Sequence, residues 1–459
     1  MADRGLPPFL DADTSAANEL IVATEHVGFV EEMIGSHIRV LTTSRRLGLA
    51  RVEVSTAAAA KQLRKVLRKT PAAHDVQRAL STPWQRSRNL TTSGDGGDRS
   101  DPIAEISTAL RALAAIRHGG WMPTVGRNRL VSFPDSPIGI TGETSYGIRA
   151  RGSVGPAGET SYGGGGLPRP IPGSQRWSPP SQPVDEPGGG IRVGVLDTGI
   201  WPHPWLAGSW RARPSDVLPP QSDLGLVAGH GTFVAGLVLS QAPGATIDVR
   251  RVLDLAGQGQ AWDVAEAIAA MGQSGVSVLN LSFSCYTGDG QPPLVLARAI
   301  DRVDPGVVVV AAAGNHAAPG ELAALPAWPA ALDDVVAVGA LDGDGRTASF
   351  SPDRPWVDVA TLGVDLRSTF PDIPGFGLGK RSDGSWAQWS GTSFSTALVS
   401  GAIAAGTDAE RYSATEAWDD LLAVARVDPA GGKKLKVDSP RRLRLHTKGW
   451  ARGSRRSRR

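Results

Sequence analysis

The chain has 459 residues, a single cysteine, 41% apolar and 20% charged residues, and a formal net charge of +3. That length suits two or three domains; Cys285 alone excludes an intrachain disulfide framework or a multi-cysteine zinc site, and no apolar run reaches the roughly 18–20 residues of a membrane helix. The small net charge hides an asymmetry, because nine Lys and Arg and no acid lie between Arg441 and Arg459, which leaves the rest of the chain net acidic.

Residues 18–70 read as a small α/β unit. Glu19–Thr24, His37–Thr42 and Leu49–Val54 have strand character. His26–Ile34 and Ala57–Lys69 place apolar residues on one helical face, the second through Leu63, Val66 and Leu67. A further helix is expected from Ile103 to Ile116, capped by Asp101 with Pro102 in its first position and stopped by Gly119-Gly120. The first twenty residues carry Asp3, Arg4, Asp11, Asp13 and Glu19 without an apolar core, so no secretory signal is read. The cytoplasm is the expected compartment, with export by another route left open.

Between Gly152 and Gly190 about half the residues are Gly or Pro, above the ~25–30% that marks low-complexity sequence. The string GETSYG occurs at Gly142–Gly147 and again at Gly158–Gly163, too few copies for a solenoid. A linker or protease-accessible loop is expected over 121–189. After it, Ile191–Leu196, Ile247–Val252, Val276–Leu281, Val307–Ala313 and Val335–Val338 are apolar, mostly β-branched runs. Helical patterns fall between them at Thr232–Leu239, Ala261–Met271 and Pro293–Val303, and a last one at Thr415–Arg426. Buried strands alternating with helices predict a parallel sheet covered on both faces.

Three strings stand at the ends of these elements. Asp197-Thr198-Gly199 closes a buried strand, Gly229-His230-Gly231-Thr232 opens an apolar helix, and Ser390-Gly391-Thr392-Ser393 opens another. Reactive groups of open α/β sheets gather at such strand ends and helix starts. A serine hydroxyl needs an imidazole to take its proton, the imidazole needs a carboxylate to fix its tautomer, and the oxyanion needs donors. Helix N-termini supply unpaired N–H groups. Singly, Asp197 reads as a turn cap, His230 as a core histidine and Ser393 as an N-cap; the ordered set reads as a catalytic constellation.

The strings resemble the signatures of the subtilisin-type (subtilase) serine peptidases, in the order Asp, His, Ser known for subtilisin. The likeness runs from about Gly190 to Val427. It implies a subtilisin-like three-layer α/β fold over 190–427 with a mostly parallel sheet, preceded by the α/β unit of 1–120 and the Gly/Pro-rich linker of 121–189, and followed by a basic, disordered tail over 428–459. It implies a serine endopeptidase acting on proteins and peptides, with Asp197, His230 and Ser393 catalytic. Ala311-Ala312-Ala313-Gly314-Asn315 resembles the segment that carries the oxyanion-hole asparagine, which gives Asn315 that role. Asn280-Leu281-Ser282-Phe283-Ser284 resembles the segment that pairs with substrate backbone, so Ser282, Phe283 and Ser284 are expected to bind substrate.

Departures from the family are Phe233 in place of a second histidine, Ala397-Leu398 in place of Pro-His, and Ser284 in place of glycine, the last bearing on substrate preference. No cofactor is required. A structural calcium ion fits the resemblance, but no acidic cluster has ligand spacing, so no metal residue is assigned. The N-terminal unit has the size of a subtilase propeptide, which would make it an intramolecular inhibitory segment; an unrelated interaction domain is the alternative. A catalytically silent subtilase fold used for binding or scaffolding is the rival for the whole chain. The tail reads as solvated rather than nucleic-acid-binding, and no membrane partner is expected.

Overall fold

A computed structural model describes residues 18–70, 76, 102–132, 166–171, 186–219, 224–287, 290–317, 325–374, 384–427 and 433–434. Asp101, both GETSYG copies, most of the Gly/Pro-rich stretch and the basic tail lie outside the described residues.

The N-terminal unit is an antiparallel sheet of β1 (Glu19–Ala23), β2 (Ile38–Ser44), β3 (Leu49–Val54) and β4 (Val125–Arg127), in the order β2-β3-β1-β4. Strand periodicity divides β1 between two cores. Leu20 and Val22 face helices α1 (Val27–Ile34), α2 (Thr56–Arg68) and α3 (Pro102–Arg117), whereas Ile21 and Ala23 join Leu47 and Leu49 in the core of the larger body. Strand β1 is therefore buried on both faces, whereas the edge strand β2 is largely exposed. From β4 the chain runs into β5 (Leu130–Ser132), and farther on lies β6 (Arg169–Pro170). β4 and β5 fall where composition pointed to a linker; three-residue strands are too short to carry a period-two signal.

The larger body is built on β7 (Arg192–Asp197), β8 (Trp210–Ala212), β9 (Thr246–Arg251), β11 (Val278–Leu281), β12 (Val308–Ala312), β13 (Val336–Leu341) and β14 (Val359–Leu362), seven parallel strands ordered β14-β13-β12-β11-β7-β9-β8. Short strands β17 (Arg426–Val427) and β18 (Lys433–Lys434) extend the β14 edge. Each of β11, β12 and β13 is buried along its whole length, as continuous apolar runs require in a doubly covered parallel sheet.

Helices α4 (His230–Gln241), α7 (Thr392–Gly406) and α8 (Ala414–Val424) contribute to the core on one face. Helices α5 (Ala261–Gly272) and α6 (Leu294–Ile300) cover the other, where the N-terminal sheet also packs. This is the three-layer α/β arrangement expected for residues 190–427. Both α4 and α7 are buried nearly all round, since they pack on the sheet, on each other and beneath further chain. Their approach is close: a Cβ on Gly401 would stand 2.6 Å from the Val238 carbonyl oxygen. β15 (Leu366–Phe370), paired with β16 (Ser385–Trp389), covers α4, where Ser368 and Thr369 hydroxyls donate to the Phe233 and Thr232 carbonyls. These layers fix the N-terminal ends of α4 and α7 beside the C-terminal ends of β7, β11 and β12.

Candidate active site

Asp197 ends β7 and is fully buried. The Thr198 N–H donates to its Oδ1 at 2.7 Å, and the Thr198 hydroxyl donates to the same oxygen at 3.2 Å. His230, the first residue of α4, puts Nδ1 2.9 Å from both Asp197 carboxylate oxygens. A carboxylate only accepts, so Nδ1 carries the proton in this pair, which leaves Nε2 of the neutral ring basic. Space is tight here: a Cβ on Gly231 would lie 2.3 Å from the Gly199 carbonyl oxygen and 3.1 Å from Asp197 Cβ. Trp389 meets the His230 ring edge-on at 5.5 Å and Phe394 lies tilted against it at 5.3 Å. Phe233, one turn along α4, packs on both of those aromatics. The residue that departs from the family pattern thus belongs to the apolar wall behind the imidazole.

Ser393 is in the first turn of α7 and is 2% exposed. Its hydroxyl donates to the Ser282 backbone carbonyl at 3.0 Å, and the Ser282 hydroxyl donates to the Ser393 carbonyl at the same distance. Asn315 follows the turn after β12. Its Oδ1 accepts from the Thr392 N–H at 3.0 Å and from the Thr392 hydroxyl at 2.9 Å, which turns the NH₂ end of the amide the other way. The Gly314 N–H donates to the Thr392 hydroxyl at 3.2 Å. Thr392 thereby ties the asparagine turn to the start of the serine helix.

Of the three expected substrate-binding residues, Phe283 buries its ring in the core, and Ser282 is engaged with Ser393 as above. Ser284 presents its backbone, and that backbone is occupied. The Ser132 N–H donates to the Ser284 carbonyl at 3.0 Å, and the Ser284 N–H donates to the Ser132 carbonyl at 2.9 Å. On its other side β5 pairs antiparallel with β10 (Gln258–Gln260). A strand of the chain itself therefore lies between Gln258–Gln260 and Ser284.

A model of the Subtilase family matches residues 188–427. The chain belongs to the subtilase family. Subtilisin Savinase of Lederbergia lenta is 35% identical over 227 residues, 47% of this chain and 76% of that protein. An alkaline protease of Alkalihalobacillus alcalophilus is 35% identical over 227 residues and Subtilisin E of Bacillus subtilis strain 168 is 32% identical over 229, each across 47% of this chain. The chain spans 54% and 55% of those two proteins. As a subtilase it is a serine peptidase by family, and the family match covers β7 to β17, α4 and α7 but leaves out β1 to β6 and β18.

Several residues that shape this subtilase site carry no signal of that role in the sequence. Thr198 and Thr392 belong to the motif strings, but the strings alone give neither a role. Asn128 lies outside the motifs and is 1% exposed; its amide donates to Glu19 at 2.8 Å and its carbonyl oxygen accepts the Trp262 N–H at 3.1 Å, tying β1 to the start of α5. No periodicity or motif marks a single buried asparagine. Among the described residues there is no group of three or more His, Cys, Asp or Glu able to hold a metal ion, so no side chain is assigned to calcium. No described helix is long and apolar enough to cross a membrane.

Proposed function

We propose that the chain is a serine endopeptidase that cleaves proteins and peptides through an acyl-enzyme on Ser393. The observation that carries this reading is the buried Asp197–His230 pair, which holds one imidazole tautomer at the start of α4. In this mechanism the Ser393 hydroxyl rotates away from the Ser282 carbonyl, gives its proton to His230 Nε2 and attacks the substrate carbonyl. Asp197 stabilises the imidazolium that forms. The Asn315 NH₂ and the Ser393 backbone N–H donate to the oxyanion. His230 then returns the proton to the leaving amine, and water repeats the sequence to release the acyl group.

The same reading makes the N-terminal unit an intramolecular inhibitor. Substrate backbone is expected to pair with Ser284 by strand addition, and β5 supports the inhibitory role because it already makes those bonds. A fluorophosphonate probe tests the proposal directly. Wild type should be labelled and should degrade casein, and Ser393→Ala should do neither. Labelling that persists in the variant rejects Ser393 as the nucleophile.

A further inference from the structure

Beside the proposed oxyanion site, one buried polar atom has no donor among the described residues. His316 follows Asn315 directly, and its Nε2 lies 2.9 Å from the Leu325 carbonyl oxygen. A carbonyl only accepts, so Nε2 carries the proton and Nδ1 of the neutral ring is a bare acceptor. Nδ1 is shielded from solvent and has no partner among the described residues. Burial lowers the pKa of His316; the Leu325 carbonyl opposes that shift and the Arg354 charge adds to it. Burial thus favours the neutral ring.

The position of this atom points to the substrate. The His316 ring lies tilted on Tyr286, with centroids 4.4 Å apart. A Cβ on Gly314, which holds φ +95°, would stand 2.6 Å from both His316 Nδ1 and the Tyr286 hydroxyl. Tyr286 accepts from the Ser284 hydroxyl at 3.3 Å, and the Ser284 backbone is the one that pairs with β5. Nδ1 thus lies between the segment that holds a substrate-like strand and the asparagine proposed to hold the oxyanion. In the peptidase reading the oxyanion forms on the residue immediately N-terminal to the cleaved bond, which makes the side chain of that residue the substrate group nearest the Asn315–His316 turn.

We propose that His316 is a specificity-determining residue whose Nδ1 accepts a hydrogen bond from an uncharged donor, the carboxamide of Gln or Asn, immediately N-terminal to the cleaved bond. This rests on the peptidase reading above. An aliphatic side chain leaves the buried acceptor unpaired, and a carboxylate offers it only further lone pairs. A cationic side chain is opposed by Arg354, which already resists positive charge on the ring.

The test uses the full-length protein, with active sites counted by fluorophosphonate, and peptides that differ only at that position: Gln, Asn, Leu, Glu or Lys. Gln or Asn should exceed Leu in kcat/KM by about tenfold, the effect of leaving one buried acceptor unpaired. His316→Phe keeps the ring and removes the acceptor, so it should bring that ratio to about one or below. Site counting restricts the comparison to folded molecules, and the wild-type ratio stands alone if the variant does not fold. Leu, Glu or Lys at or above Gln in wild type overturns the proposal, as does an unchanged ratio in His316→Phe. Because β5 occupies the Ser284 edge in wild type, the peptidase reading and this proposal with it are overturned if wild type and the β5 variant Ser132→Pro both cut no peptide and no protein.

Discussion

At the scale of single residues, the proposed oxyanion donor is only as good as its orientation. Asn315 Oδ1 has two bonds to Thr392, and these aim the NH₂. Asn315→Ala should lower kcat by about 10²–10³, an order of magnitude known from subtilisin itself rather than derived from this geometry. Thr392→Val keeps the backbone bond and removes the hydroxyl, leaving the Gly314 N–H without that acceptor. It should cost about 1–3 kcal/mol of stability and lower kcat by roughly tenfold with KM nearly unchanged, because a looser donor acts in the transition state. A KM rise at constant kcat would show that Thr392 shapes ground-state binding instead.

At the scale of elements, β5 is held at two levels. Its backbone pairs with Ser284 and β10, and the Val131 side chain is fully buried in the core with Phe283 and Leu253. Burying a valine contributes about 1.5–3 kcal/mol, so Val131→Asp should release the strand. Ser132→Pro removes the N–H that donates to Ser284. Both variants should hydrolyse short peptides faster than wild type, Ser132→Pro by roughly fivefold for one lost hydrogen bond. Initial rates at subsaturating peptide measure this, and unchanged rates in both variants would mean that β5 does not compete with substrate.

The contrast between β5 and its surroundings explains what the sequence could disclose. The buried parallel strands and the three reactive strings were readable because continuous β-branched runs and small-residue turns impose composition on the chain. Helices α4 and α7 were readable as apolar helices that open with His230 and the Ser390–Ser393 string. β5 and β10 were not readable: a short strand held mostly by backbone bonds to distant partners leaves almost no trace in side-chain pattern. Ser284 was expected to face substrate, and nothing in its neighbours could say that Ser132 already paired with it. The role of Thr392 was hidden for a different reason, since it acts through Asn315, more than seventy residues away.

On the scale of the whole molecule, acid sensitivity has one identifiable source near the site. Asp216 is 1% exposed, and its backbone carbonyl accepts the Ile200 N–H at 3.0 Å, in the turn that follows Asp197. Burial pushes the carboxyl pKa up, but hydrogen bonds from Arg213 and the Arg251 N–H and the charges of Arg213 and Arg250 outweigh it, so the net shift is down. A lowered folded pKa gives stability that is present above the ordinary carboxylate value, about 3.9, and is lost as pH falls through the folded value. Asp216→Asn lacks the titrating group and keeps only weaker, neutral bonds. It should be less stable at pH 7 by about 1–2 kcal/mol, below the figure for a fully buried pair because Arg213 is 56% exposed. Below pH 3.9 the difference should shrink toward zero, since wild type then loses the same charge. Thermal midpoints of the full-length proteins from pH 7 to pH 2 measure both limbs, with Ser393→Ala as background in each to prevent self-digestion. Curves that stay parallel down to pH 2 would assign the acid limb to other carboxylates and leave the turn after Asp197 uncoupled from pH.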